Sequence, residues 1–295
     1  MSRSDSSTRS TYRPPPAVGT GCGDGENGPV SLHRYVALGD SFTEGVGDPD
    51  PDRPNRLRGW ADRVAEHLAT LEPDFRYANL AIRGRKLPAI LDEQLDAGLA
   101  LRPDLVTIHG GGNDVLRPRV DVDALAARYE QAIERLSTSG ARVVMFTLFD
   151  PGTTGVFAAM RGRFAVFNEW VREIADRHGA TLVDQWRMRD VELPAVMDSD
   201  RMHLNSAGHA YMATRVLDAL GIAHELALPT LAPIPVLDRR ERFTENARWT
   251  REFLAPWVRR RLTGRSSGDL VSPKYPTLVD VLAPAVPRVI SPGGD

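Results

Sequence analysis

The chain has 295 residues, a 42% hydrophobic fraction and a formal net charge of -2. That length can bury a large core, and the near-neutral balance argues against a nucleic-acid binder, which carries a basic surplus or patch. The single cysteine, Cys22, excludes an internal disulfide and a thiolate metal site.

Residues 1–31 are rich in Ser, Gly, Pro and charge. They hold too little apolar surface to offset the entropy of ordering, so a disordered tail is expected. They also lack the apolar run of a signal peptide. No later run reaches the roughly 20 apolar residues of a membrane span, and a cytoplasmic protein is the expectation.

A catalytic domain is expected over 32–228. Residues 35–38 are a short apolar run ending at Gly39 and predict a first buried strand. A helix follows over 59–68, with Trp60, Val64 and Leu68 on one face. The run 75–80 predicts a second strand, and 87–99 a helix carrying Leu87, Leu91 and Leu95. Residues 104–108 predict a third strand that ends in a glycine run. A helix over 122–136 is stopped by Gly140. Residues 142–148 predict a fourth strand. A helix over 164–178, with Phe167, Val171 and Ile174 in a stripe, closes at Gly179. A fifth strand is expected over 181–184 and a last helix over 205–220, closed by Gly221. Strands that are continuous apolar runs, alternating with helices, predict a five-stranded parallel sheet covered on both faces, an α/β/α sandwich. Chemistry in such folds sits in loops beyond the carboxyl ends of strands.

From 229 to 295 the texture changes to a Pro- and Arg-rich extension. Pro229, Pro233 and Pro235 suggest an extended linker, and 239–261 one helical segment weakened by Pro256. Trp249, Phe253 and Trp257 recur among arginines there. That pattern suits three placements: peripheral contact with an anionic membrane, a cap over the crevice, or packing on the outer helices. The remainder reads as irregular.

The strand-end loops carry the candidate chemistry. Neither glycine-rich loop, 39–47 or 110–114, has the lysine of a phosphate loop, and GxGxxG is absent after the first strand. Ser41 follows the first strand directly. A serine there is either a turn cap or a nucleophile, and as a nucleophile it needs a base within hydrogen-bond reach. His203 precedes the last helix, with Asp200 three residues upstream. A compact turn could bring that carboxylate to the imidazole, fixing its tautomer. A catalytic zinc needs three protein ligands, and only His109 could join the pair, so neither metal nor cofactor is expected. Acyl transfer also needs donors for the oxyanion. The backbone N–H groups of Ser41 and Gly84 and the Asn113 amide are candidates, each after a successive strand.

These blocks resemble the SGNH hydrolase family, the GDSL esterases and lipases. The carriers are Gly39-Asp40-Ser41 within LGDSFTEG, the Gly84 segment, Gly111-Gly112-Asn113-Asp114 and Asp200 with His203, all in family order across roughly 34–221. The resemblance implies a flavodoxin-like fold. It implies Ser41, Asp200 and His203 as catalytic residues, and Ser41, Gly84 and Asn113 as the oxyanion hole. It implies hydrolysis of a small-molecule or lipid ester. An acyltransferase or thioesterase using the same residues, and a non-catalytic binding protein on the same fold, are the alternatives. The GxSxG elbow of α/β-hydrolases does not surround Ser41.

Overall fold

In the computed structural model, residues 32–283 are described, except 154, 156, 228 and 232. The expected tail over 1–31, with Cys22, lies outside the described residues. Five short strands form the parallel core of one sheet: β1 (Arg34–Leu38), β2 (Arg76–Asn79), β3 (Leu105–Ile108), β4 (Arg142–Phe146) and β5 (Thr181–Val183). The period-2 geometry of a strand divides β1 between two cores. Tyr35 and Ala37 face one core with α2 (Gly59–Leu71) and α8 (Ser206–Leu220). Val36 and Leu38 face the other with α3 (Leu87–Ala100), α5 (Val122–Thr138) and α6 (Arg161–His178). Burial on both faces explains why these strands read as continuous apolar runs.

The predicted helices stand with ends shifted by a few residues. Three one-turn helices were not predicted: α1 (Ser41–Glu44), α4 (Gly112–Val115) and α7 (Leu193–Val196). One turn holds no repeat of the 3.6-residue pattern, so periodicity cannot reveal it.

The strand order is β5-β4-β3-β1-β2-β6. The chain moves from β1 outward to β2, then crosses back to β3 on the other side of β1. Loops leaving β1 and β3 therefore diverge and open a crevice at the carboxyl ends of these two strands.

The sixth strand, β6 (Tyr275–Val279), extends the expected count of five. It pairs antiparallel with β2, Tyr77 opposite Val279 and Asn79 opposite Tyr275. Pro276 masks this strand in the sequence, yet an edge strand tolerates the missing donor. Lys274, just before it, is fully buried. Its Nζ donates to the Asp62 carboxylate of α2 at 2.9 Å and to the Arg58 carbonyl at 2.6 Å.

The expected helical segment forms as α9 (Arg239–Trp249), a π-turn (Thr250–Leu254) and α10 (Ala255–Leu262). The Ala255 N–H reaches back to the Thr250 carbonyl, five residues away. This widened turn accommodates Pro256, whose ring would clash with the carbonyl four residues earlier in a regular helix. Trp249 and Trp257 turn toward the body of the protein, Trp249 buried and Trp257 edge-on to Phe157, while Phe243 is exposed. Among the described residues no helix is long and apolar enough to cross a membrane.

Candidate active site

Ser41 is the first residue of α1, two residues beyond the glycine that ends β1. Its neighbour Asp40 caps that turn, accepting from the Phe42 N–H at 3.1 Å. Below it, the Gln94 side chain of α3 grips Gly39. Its Oε1 accepts from the Gly39 N–H at 2.8 Å and its Nε2 donates to the Gly39 carbonyl at 2.9 Å. The far end of α1 is held by Glu44, a fully buried carboxylate. It accepts from the Arg83 backbone N–H at 2.7 Å, from the Arg83 guanidinium, and from Asn55 at 3.0 Å. One carboxylate thus ties the Ser41 turn to the Gly84 loop.

The Asp200–His203 segment reaches the same point from late in the chain. His203 Nε2 lies 3.0 Å from Ser41 Oγ, and its Nδ1 lies 2.5 Å from Asp200 Oδ2. The other Asp200 oxygen accepts from the backbone N–H groups of Met202 and His203, at 2.9 and 3.0 Å. Burial pushes this carboxyl up, but the His203 hydrogen bond and charge and the two N–H groups outweigh it, so its pKa lies below the ordinary value. Asn205 caps α8 by accepting from Gly208 N–H at 2.9 Å, which ends the loop just past the imidazole. Gly47, with φ 99°, lets the Ser41 loop pass close to this segment, since a Cβ there would collide with the Leu204 carbonyl oxygen.

The third group of residues sits beside the serine. Gly84 follows β2 with φ 75°. A Cβ at Gly84 would collide with the Ser266 hydroxyl, so the C-terminal segment passes directly over it. Among the described residues the N–H groups of Ser41 and Gly84 meet no acceptor. Asn113, in α4 after β3, donates from Nδ2 to the Arg85 carbonyl at 3.1 Å and to Asp40 Oδ2 at 3.3 Å. Its amide is therefore aimed between the Ser41 turn and the Gly84 loop. Next to it, Asp114 accepts from the Leu87 N–H at 2.8 Å and so satisfies the start of α3. Burial pushes Asp114 up to about 6. His109 supports the loop, with Nδ1 3.3 Å from Asp40 Oδ1 and its ring 4.4 Å from that of Phe42.

All five predicted site residues thus converge at the carboxyl ends of β1, β2 and β3 and on the loop before α8. A profile of the GDSL-like lipase/acylhydrolase family matches residues 37–211, a span that begins in β1 and ends in α8. The chain belongs to that family. It is a serine-dependent carboxylic ester hydrolase. No curated protein sequence matches it. Solved structures similar to this hydrolase include TesA, at 23% identity and a TM-score of 0.54, covering 64% of this chain and 98% of that one. The acetylxylan esterase Axe2 from Geobacillus stearothermophilus is 22% identical, with a TM-score of 0.55, covering 65% of this chain and 95% of that one. LAE5, an alpha/beta hydrolase enzyme from the metagenome of Lake Arreo, Spain, is 26% identical with a TM-score of 0.51, covering 64% and 95%. These likenesses carry the fold.

Three residues of this hydrolase support the site without being visible in its sequence. Gln94 reads as an ordinary helix position, and only the buried Gly39 backbone shows its use. His209 reads as one more helix residue. Its Nδ1 accepts from the Trp60 N–H at 3.1 Å and its Nε2 donates to the Val46 carbonyl at 3.1 Å, so it joins α8 to the loop after Ser41. Burial pushes its pKa down to about 4. Trp249 is part of an aromatic stripe in the sequence, and its indole N–H donates to the Asp200 carbonyl at 2.9 Å. A cavity of about 560 Å³ opens beside Lys86, Asp114, Arg117 and Arg119. Ser41, Asp200 and His203 do not line it.

Proposed function

We propose that Ser41 is the nucleophile of this esterase, His203 its general base and Asp200 the group that orients the imidazole. The observation that carries this reading is the line of contacts from Ser41 Oγ to His203 Nε2 at 3.0 Å and from His203 Nδ1 to Asp200 at 2.5 Å. A serine hydroxyl attacks an ester only when a base takes its proton. The Ser41 Oγ–acyl carbon bond forms while that proton moves to Nε2. Negative charge then builds on the carbonyl oxygen. The Ser41 and Gly84 N–H groups accept it without giving up existing partners. The Asn113 amide joins them by exchanging its longer bond, that to Asp40, for the oxyanion. Collapse breaks the bond to the alcohol, which takes the proton from Nε2. Water then attacks the acyl carbon as His203 removes its proton. The acid departs, and Ser41 recovers its hydrogen.

The proposed substrate is a simple carboxylic ester with a short acyl group. The aromatic side chains in the loop after β4 support this. Phe149 packs edge-on to Phe42, with ring centroids 6.4 Å apart, and Phe157 lies against Trp257. Both rings pack against aromatic neighbours, which favours a compact acyl site. A screen of esters by chain length and headgroup, with Ser41→Ala as control, tests both parts. Hydrolysis falling steeply with acyl length supports the substrate reading, and a preference for long acyl chains overturns it. Labelling by an organophosphonate that maps to a residue other than Ser41 overturns the nucleophile.

A further inference from the structure

Helix α9, beyond residue 229, touches the proposed catalytic loop at two adjacent residues, Asp200 and Arg201. Trp249, at the end of α9, is 7% exposed, and its indole N–H donates to the Asp200 backbone carbonyl at 2.9 Å. The next residue, Arg201, has a positive φ of 57°. A side-chain-bearing residue adopts that conformation only where its surroundings hold it. Here α9 does the holding. The Arg201 guanidinium lies over the Trp249 ring at 5.2 Å, donates to Asn246 Oδ1 at 2.7 Å and pairs with Glu245 at 3.6 Å. The left-handed turn at Arg201 is also what allows the Asp200 carboxylate to fold back onto the N–H groups of Met202 and His203.

From this geometry we infer that Trp249 is a positioning residue for ester hydrolysis, acting through the Asp200 backbone to hold the carboxylate on His203 Nδ1. The inference rests on the assignment of Asp200 and His203 proposed above. A buried indole is rigid, with two side-chain torsions, and its single donor has one acceptor to meet. The main chain at Asp200 is thereby fixed from outside, while its carboxylate is fixed from inside by the loop's own amides. Losing the indole donor frees the Asp200–Arg201 peptide to rotate. The carboxylate then spends less time in line with Nδ1, and the cost falls on the chemical step rather than on substrate binding.

The test is a double-mutant cycle in the full-length protein, using Trp249→Phe, Asp200→Ala and the pair, and reading kcat, KM and the rate of organophosphonate labelling of Ser41. Trp249→Phe keeps an aromatic ring beneath Arg201 and removes the donor together with part of the indole's bulk. It is expected to lower kcat about tenfold and slow labelling in parallel, with KM within about twofold. In the Asp200→Ala background the same change is expected to alter kcat less than about twofold, because the group it positions is gone. Equal losses in both backgrounds, a change confined to KM, or no change at all overturn the inference. If Trp249→Phe does not fold, Trp249→Met, which also removes the indole donor while keeping an apolar side chain in its place, carries the same cycle and the same criteria. Asp200→Ala with undiminished kcat would instead overturn the catalytic assignment itself, and with it the role of Trp249.

Discussion

The two sides of the active site are built by different means. The Ser41 side is held from below by groups of the sheet and its helices: Gln94 on Gly39, His109 on Asp40, and Asn79 donating to the Thr43 carbonyl at 3.1 Å. The His203 side is a loop on the surface of the sandwich, held by its own amides, by the Asn205 cap and, from outside, by α9. The first lies within the stretch that matches the family, and its support is shared with the core. The second receives part of its support from residues beyond 211, where the match ends. Disturbing the first side should affect folding and chemistry together, whereas disturbing the second at α9 should affect chemistry alone.

The largest expected effect is at the point where the sides meet. Ser41→Ala should lower kcat on the order of 10⁶-fold while circular dichroism and the melting curve stay those of the parent. Parental activity in that protein sinks the comparison along with the mechanism. Lys274→Met should destabilise by about 3–5 kcal/mol, because it leaves the Asp62 carboxylate buried without its cation. Lys274 meets α2 and not the Asp200 loop, so activity per folded molecule should hold. A denaturant titration paired with active-site labelling separates the two quantities. Asn113→Ala should cost about 3 kcal/mol of transition-state stabilisation, seen as a fall in kcat with little change in KM. Gln94→Leu keeps the volume but strands the buried Gly39 N–H, while the Gly39 carbonyl keeps the Ile82 N–H at 3.2 Å, so about 2 kcal/mol of stability should go, with a parallel drop in kcat. Unchanged kcat there would break the claim that the Ser41 side couples folding to chemistry.

The gentlest probe is pH. His209 is buried with its pKa pushed down to about 4, below the ordinary value near 6.5. The unfolded chain therefore binds a proton in this window that the folded one refuses. Its contribution to stability is intact above about 6.5 and drains away as pH falls toward about 4. Melting temperatures across that range should decline in the wild type and decline less in His209→Gln.

Much of this was legible before any coordinates, for physical reasons that differ by element. The five parallel strands and their helices announce themselves because each is buried on both faces or carries a periodic stripe. Ser41, Gly84, Asn113, Asp200 and His203 stand out as candidates in the sequence because they lie in short blocks of distinctive composition, the first three after successive strands and the last two just before the last helix. The supports do not. Gln94 and His209 act on backbone groups distant in sequence, and no local pattern encodes which carbonyl a side chain will reach. Trp249 belongs to an aromatic stripe in the sequence, a pattern that fits a membrane face as well as a buried hydrogen bond. Strand β6 was hidden by Pro276, a residue that argues against a strand everywhere except at an edge.

That edge has a consequence for how the molecule is made. Strand β2 would present an open row of amides and carbonyls, a template for a neighbouring chain, until β6 pairs with it. Its partner is translated last among the strands, so a nascent polypeptide carries the unsealed side through most of its synthesis. A truncation before Tyr275 keeps it unsealed for good, and aggregation rather than lost catalysis is then the first symptom to look for.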